Sequence, residues 1–290
     1  MAQPPTWDAS AFWKEQSFQT SARHAATHWI FTYQLGYLLH PKIGADGEPL
    51  KIADVACGNA AWLLDVARQY PQHDYHGFDI TPAHFVHAAN LPSNIHLHTW
   101  DAFGELPSEL VGEFDIVGIR TIYSAVIDNK VEPLLDNLLQ MLKPGGHIQW
   151  AENDASTLTA HAPQDVKADA TSTLVNLQNF FSRFQSKLLP DWLHGLASSL
   201  EQRGCEVLVD ETLKPRSELA RAWSDNMLTV SIGVPALLPE QAIPLPPVPG
   251  LPESVSRQSY GDLVFRAAAE SSQGAWSAMD QRIVVARKSA

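Results

Sequence analysis

Residues 50–154 alternate short apolar runs with stretches of helical periodicity, and this alternation restricts the fold more than any other feature of the sequence. It is typical of repeated β-α units, whose strands pair in parallel within one sheet. Strands are predicted over residues 51–56, 75–80, 95–99, 114–119, 147–152, 206–210 and 282–286. Helices are predicted over residues 60–70, 82–90, 131–142 and 191–203. We therefore expect an α/β fold with a doubly wound sheet.

Composition and periodicity divide the chain into four predicted segments. They are an aromatic-rich helical cap over 1–48, an α/β core over 49–154, a helical lid and connection over 155–200, and the C-terminal part of the sheet over 201–290. The last segment contains a helical and proline-rich insertion over residues 215–275. The core is thus expected to carry additional pieces from both ends of the chain.

The charge balance limits the kinds of partner that this chain can have. Its 290 residues include 32 Asp and Glu but only 20 Lys and Arg, which gives a net charge of −12. An acidic surface repels phosphate groups, so we expect neither a nucleic-acid partner nor an anionic membrane surface. No apolar run is long enough to span a bilayer, and the N-terminus lacks the features of a secretory signal. The two cysteines, Cys57 and Cys205, are far apart and predict no disulfide framework, which favours a cytoplasmic location.

The segment Asp54–Ala60 joins the first predicted strand to the first predicted helix. A tight turn of this kind needs a residue without a side chain where a ligand approaches, and Gly58 meets that need. Two alanines stand where a fuller glycine-rich loop has glycine, and both are small enough for close approach. The candidate ligand-binding residues of this turn are Asp54, Ala56, Cys57, Gly58 and Asn59. No Gly-Lys-Ser or Gly-Lys-Thr occurs, so a Walker phosphate loop is excluded.

Charged side chains follow the next three predicted strands at the point where each strand ends. Asp79 ends the second strand, where a carboxylate can accept both hydroxyls of a ribose. Asp101 follows the third strand and is suited to accept from an exocyclic adenine amine, while Arg120 ends the fourth. The neighbours expected to line the ligand are Ile80, Ala102 and Phe103. Because parallel strands end at one edge of a sheet, these residues predict one nucleoside-binding site there.

In this order and at these spacings, the motifs resemble those of class I S-adenosylmethionine-dependent methyltransferases. The likeness covers residues 50–154 and, more weakly, 190–290. The aromatic N-terminal segment resembles fungal small-molecule methyltransferases of secondary metabolism. The resemblance implies a Rossmann-like, seven-stranded, mostly parallel sheet whose seventh strand runs antiparallel beside the sixth. It also implies S-adenosyl-L-methionine as cofactor, with Asp79 on the ribose and Asp101 on the adenine amine.

Other residues are candidates for the acceptor side of such a site. Methyl transfer needs two aligned partners in a dry pocket and, where the nucleophile carries a proton, a general base. The candidates are Tyr123 after the fourth strand, Glu152 after the fifth and His28 in the N-terminal segment, whereas Tyr33 is expected to reach the cofactor's carboxylate. For each, ordinary packing or solvation is the alternative. His24 and His28 have the spacing of metal ligands but no third ligand nearby, so no metal site is predicted.

The sequence favours methyl transfer to an oxygen, and less so to a nitrogen or sulfur, of an apolar small molecule in natural-product biosynthesis. Two alternatives stay open: a cyclase that uses bound S-adenosylmethionine without transferring its methyl group, and a non-catalytic regulatory protein that binds it. A nicotinamide cofactor fits less well, because Ala60 and Ala61 do not supply the later glycines of a dinucleotide-binding loop. The chain is expected to be a monomer or a homodimer.

Overall fold

A single large sheet organises the described part of the chain. The computed structural model describes residues 18–163, 173–177, 191–233, 240–244 and 254–289. The strands of the sheet are β1 (Lys51–Val55), β2 (Asp74–Asp79), β3 (Ile95–Thr99), β4 (Phe114–Arg120), β5 (Leu142–His161), β6 (Cys205–Leu213) and β7 (Trp276–Lys288). Their order across the sheet is β3-β2-β1-β4-β5-β7-β6. A separate two-stranded ribbon pairs Ile243–Pro244 with Ser254–Val255.

The helices alternate with the strands in the first half of the chain and cluster in the second half. They are α1 (Phe18–Leu35), α2 (Ala61–Gln69), α3 (Glu132–Met141), α4 (Asp191–His194), α5 (Leu196–Gln202), α6 (Ala220–Gly233) and α7 (Arg257–Ser272). Among the described residues, none of these helices combines the length and the apolar character that crossing a membrane would require.

The strand directions confirm the fold class expected from the sequence. β1 pairs in parallel with β2 and β4, and the pairs β2–β3 and β4–β5 are parallel as well. β6 and β7 pair antiparallel, as the resemblance implied. The central strands β1 and β4 are largely buried, and their apolar residues face both sides of the sheet.

The chain separates into two units. One comprises Phe31–Ala155, Leu188–Lys214 and Asp280–Ala290 and contains most of the sheet, with one apolar cluster on each face. The other comprises Met1–Ile30, Ser156–Lys187 and Pro215–Met279, and its core includes residues from α6 and α7 such as Leu228, Tyr260 and Leu263. The four segments predicted from the sequence stay a prediction.

The prediction of a helix over residues 82–90 is wrong. Two short 3-10 turns, Pro82–His84 and Ala88–Asn90, take its place. The Thr81 side chain accepts from the backbone of Ala83, and His87 accepts from that of Ala89, so each turn has its own cap. Side chains that bond nearby amides in this way compete with a continuous helix.

Two other elements differ in length from the prediction. β5 begins at Leu142, five residues before the predicted start at 147, and its pairing with β4 shifts register between Phe114 and Ile116. Gly145, at a φ of 78°, provides the left-handed backbone within this irregular stretch. β5 also continues to His161, into the segment predicted to be helical. Most of the predicted helical lid lies outside the described residues.

Candidate functional site

The bend after β1 has a backbone that few side chains tolerate. Ala56, Gly58 and Ala60 have φ values of 58°, 57° and 60°. An alanine in this left-handed region costs roughly 1–2 kcal/mol, whereas glycine costs almost nothing. The bend is closed by a hydrogen bond from the Ala60 amide to the Cys57 carbonyl, at 2.8 Å. Small side chains and a strained backbone therefore occur together at the predicted ligand-binding turn.

Asp79 joins this bend to the end of β2. The Gly58 amide donates to Asp79 Oδ2 at 2.8 Å, and the Thr81 amide donates to Oδ1 at 3.3 Å. The Trp100 amide in turn donates to the Asp79 carbonyl at 2.8 Å, so the ends of β2 and β3 are held together. Burial raises the pKa of the Asp79 carboxyl, and the backbone amides that bond it oppose the rise. A carboxylate has about four acceptor sites, so two amides do not exhaust its capacity to bind a ligand.

A buried charged pair lies beneath the bend. Asp54 is 3% exposed, and Arg120 places its guanidinium 5.4 Å from the ring centroid of Trp62. Burial raises the pKa of Asp54 to about 7, although the charge of Arg120 opposes the rise. Burial also lowers the pKa of Arg120 to about 10, against the attraction of Asp54. Because Asp54 is buried and the Nε atom of Arg120 is shielded from solvent, both residues suit the role of supporting the bend.

Trp62 can take this position because Gly118 on β4 has no side chain. A Cβ built on Gly118 would come within 2.5 Å of the Trp62 Cη2 atom. Gly77 on β2 likewise leaves room for the Cys57 side chain, since a Cβ on Gly77 would lie 3.0 Å from the Cys57 sulfur. Two glycines in the strands thus make room for side chains of the bend and of α2. Neither glycine was singled out from the sequence.

Asp101 lies in the loop after β3, where it is exposed. Its Oδ1 accepts from the Phe103 amide at 3.0 Å. The buried Asn137 of α3 holds the loop in place by donating to the carbonyls of Ala102 and Gly104, at 2.9 and 2.8 Å. Sequence reasoning missed Asn137, because a single asparagine in an apolar helix carries no motif.

Several of the predicted lining residues belong to one apolar cluster. Ala102 is buried in it, and Ala56, Phe103 and Tyr123 pack against it. Ile80, next to Asp79, is 44% exposed, which is unusual for a large aliphatic side chain at the end of a buried strand. These residues give the edge of the sheet an apolar lining beside its carboxylates.

The loop after β4 is fixed by Glu152 of β5. Glu152 Oε2 accepts from the amides of Ile122 and Tyr123 at 2.7 and 3.0 Å, just after Thr121, whose φ is 54°. Burial raises the pKa of Glu152 to about 7, and these amides oppose the rise. Burial, followed by the charges of Glu152 and Asp154, raises the pKa of the Tyr123 hydroxyl to about 12. The contacts of Glu152 are those of a residue that positions a loop.

A histidine that the sequence did not single out lies beside the same strand. His194 of α4 is hydrogen-bonded through Nε2 to Asp154 Oδ2 at 2.8 Å. The His194 side chain is 46% exposed, whereas that of Asp154 is only 8% exposed. The two residues are 40 positions apart and share no motif, so only the fold brings them together.

Four further residues were predicted from the sequence. The Ala61 amide, at the start of α2, donates to Asn59 Oδ1 at 3.3 Å. Cys57 is buried, and burial raises the pKa of its thiol. Tyr33 on α1 is 45% exposed. His28 belongs to the unit that does not contain the bend.

Comparisons with known proteins agree with this geometry. Residues 53–148 match a family described as a methyltransferase domain. Methyltransferase grgD of a Penicillium species is 35% identical over 134 residues, which is 43% of this chain and 46% of that protein. The N-methyltransferase verN of Clonostachys rogersoniana is 33% identical over 118 residues, which is 40% of this chain and 41% of that protein. The matches thus span less than half the length of these curated relatives.

A solved structure shows the same fold over nearly the whole chain. It is phosphoethanolamine N-methyltransferase 2 of Haemonchus contortus, in complex with S-adenosyl-L-methionine, with a TM-score of 0.54 at 13% identity. The alignment covers 98% of this chain and 60% of that one. At this identity the likeness concerns the fold alone.

Proposed function

We propose that this chain transfers a methyl group from S-adenosyl-L-methionine to an apolar small molecule, because residues 53–148 match a methyltransferase domain. The favoured acceptor atom is an oxygen, with nitrogen or sulfur less favoured. The observation that carries the proposal is the bond between the Gly58 amide and the Asp79 carboxylate at the C-terminal edge of the sheet. That edge is where open α/β sheets bind nucleotides.

The proposed cofactor site fits a nucleoside. The carboxylate of Asp79 would accept from the ribose hydroxyls, and that of Asp101 from the adenine amine. The bend at Ala56, Cys57, Gly58 and Asn59 would pass close to the methionine part, because its side chains are small or turned into the core. Ile80, Ala102 and Phe103 would line the adenine. Tyr33 at the cofactor's carboxylate stays a prediction.

Asp54 and Arg120 would support the bend. Arg120 lies over Trp62, and its charge opposes the burial that disfavours ionised Asp54. We therefore propose a positioning role for both residues, although the sequence suggested that they bind the cofactor. Glu152 likewise positions the loop that carries Tyr123, which would line the acceptor pocket.

For an acceptor that carries a proton, we propose His194 as the general base. Bound cofactor supplies an electrophilic methyl group. His194, held by Asp154 through Nε2, would take the hydroxyl proton as the acceptor oxygen forms its new bond to the methyl carbon and the bond from that carbon to sulfur breaks. Asp154 then stabilises the imidazolium that results. His28 stays a candidate for this role from the sequence, but the described contacts favour His194.

The charge and the cysteines support the rest of the assignment. A net charge of −12 disfavours phosphate-rich partners. Cys57 and Cys205 are free and buried, as expected of a protein in the reducing cytoplasm. The chain would act as a monomer or a homodimer.

A turnover assay tests the proposed reaction. The protein is incubated with S-adenosyl-L-methionine and a panel of phenols, amines and thiols, and products are followed by mass spectrometry. A product heavier by one methylene, with release of S-adenosylhomocysteine, supports methyl transfer. An isomer of unchanged mass would instead indicate a cyclase or rearrangement. Cofactor binding without any turnover, together with a stable protein complex, would indicate a regulatory protein.

A second assay tests the proposed base. His194→Ala is expected to lower kcat by about 10²–10⁴-fold with little change in KM, because general-base catalysis contributes about that much. His87→Ala, at an exposed histidine, is the matched control. Equal kcat values for His194→Ala and the wild type would exclude His194 as the base.

A further inference from the structure

We propose that Asp74, His76 and His96 bind a divalent transition-metal ion of the zinc class on the face of β2 and β3. Asp74 and His76 are two positions apart on β2, and His76 is the register partner of His96 on β3. Residues two apart on a strand, and register partners on neighbouring strands, project to the same face of a sheet. One ligand atom from each of the three residues lies within 4.8 Å of the others.

The distances fit a tetrahedral metal. His76 Nε2 lies 3.1 Å from Asp74 Oδ2, and His96 Nε2 lies 3.4 Å from Asp74 Oδ1. Zinc binds nitrogen and oxygen at about 2.0–2.2 Å, so two ligands of a tetrahedral ion lie roughly 3.3–3.5 Å apart. Both histidines therefore already lie close to the spacing from Asp74 that an ion requires.

A fourth histidine orients the central ligand. His98 Nε2 lies 3.1 Å from His76 Nδ1, and the two rings are stacked with centroids 5.2 Å apart. When His76 donates from Nδ1 to His98, the lone pair of His76 is on Nε2, which faces Asp74. Metal-binding histidines commonly have such a partner on the other ring nitrogen.

The surroundings leave room for the ion and its remaining ligand. β3 is an edge strand, and only 3-10 turns connect β2 to β3. The side chains of His96 and Asp74 are 45% and 48% exposed, so water can complete the coordination. Lys51 is a nearby cation, and its charge is partly offset by Glu113, 2.9 Å from its Nζ.

The position indicates a structural role. Asp74 and His76 precede Asp79 by five and three positions along β2, which places these two ligands about 16 and about 10 Å along the strand from Asp79 of the proposed cofactor site. An ion held by β2 and β3 would link the edge strand to the rest of the sheet. The site is therefore independent of the proposed methyl transfer.

Metal titration of the complete, metal-stripped protein tests this site. Zinc chloride is expected to bind with a stoichiometry of one, to raise Tm, and to displace cobalt(II), whose visible absorption reports tetrahedral coordination. His96→Ala should abolish the tetrahedral cobalt spectrum, and His98→Ala should weaken zinc binding by about 10–100-fold. His87→Ala, an exposed histidine in the same connection, should bind as the wild type does.

The proposal is overturned if zinc does not bind, or if His96→Ala binds it as tightly as His87→Ala does. Binding of several ions with no effect of His96→Ala would show adventitious surface binding only. Because His96 is exposed, its substitution should leave the fold intact, and the Tm of each variant without metal checks this. None of these readouts depends on enzymatic activity.

Discussion

Replacing Asp79 with asparagine provides the sharpest test of the proposed cofactor site. Asparagine has the shape of aspartate and keeps one oxygen for the Gly58 amide, which lies 2.8 Å from Asp79 Oδ2. It replaces the other acceptor oxygen with a donor and removes the negative charge. The variant should therefore fold but hold ribose hydroxyls poorly.

The size of the loss follows from the hydrogen bonds involved. A bond to a charged group contributes about 1.5–3 kcal/mol, whereas a neutral one contributes about 0.5–1.5 kcal/mol. Losing one such bond and weakening the second predicts a loss of roughly 2–4 kcal/mol. At 1.4 kcal/mol per tenfold, the dissociation constant should rise by roughly 30- to 700-fold.

Isothermal titration calorimetry with S-adenosylhomocysteine measures this change. Asp136→Asn is the matched control, because Asp136 is an exposed aspartate paired with Arg203. Urea unfolding of both variants separates a binding defect from a folding defect. If Asp79→Asn binds the ligand as tightly as Asp136→Asn does, the assignment of Asp79 to the ribose is wrong.

Two further predictions concern the support beneath the bend. Gly118→Ala should lower the free energy of unfolding by about 1–3 kcal/mol, because its Cβ would overlap the Trp62 ring. Gly47→Ala, where a Cβ meets no atom within 4 Å, is the control, and equal urea midpoints for the two would contradict the packing argument. The second prediction concerns pH, because burial raises the pKa of Asp54 from 3.8 to about 7. The contribution of Asp54 to the stability of the fold is therefore fully present below pH 3.8 and is lost as the pH rises through about 7. Asp54→Asn should remove this loss of stability, which amounts to up to roughly 4 kcal/mol. The urea midpoint of the variant should then fall less between pH 5 and pH 8 than that of the wild type. An equal fall in both proteins would show that Asp54 does not cause the loss.

The sequence predicted the parts of the fold that depend on local periodicity. The buried face of α2, formed by Trp62, Leu63, Val66 and Ala67, follows directly from helical spacing. The prediction of a helix over residues 82–90 was wrong because hydrophobic periodicity does not show which side chains compete with a helix for the backbone amides. Thr81 and His87 each cap a separate turn there, and that competition depends on the positions of single side chains.

The residues of the candidate site could likewise be predicted only in part from the sequence. Gly58 and Asp79 could be chosen because each follows a predicted strand, and the structure joins them by a hydrogen bond. Asn137 and His194 could not be chosen, since their partners are distant in sequence and belong to no motif. The burial of Glu152 could not be foreseen either, because a carboxylate after a strand can face solvent or the loop amides equally well.

The position of β7 between β5 and β6 affects how the sheet can assemble during synthesis. β5 is complete once residue 161 has been made, yet its neighbour β7 comes more than a hundred residues later. Lys288 then donates to the carbonyls of Leu139 and Leu142, which tie β7 to the end of α3 and the start of β5. Until that stretch leaves the ribosome, β5 presents an unpaired edge that invites association with other chains. Maturation of this sheet in the cell therefore depends on a long-range pairing that forms late.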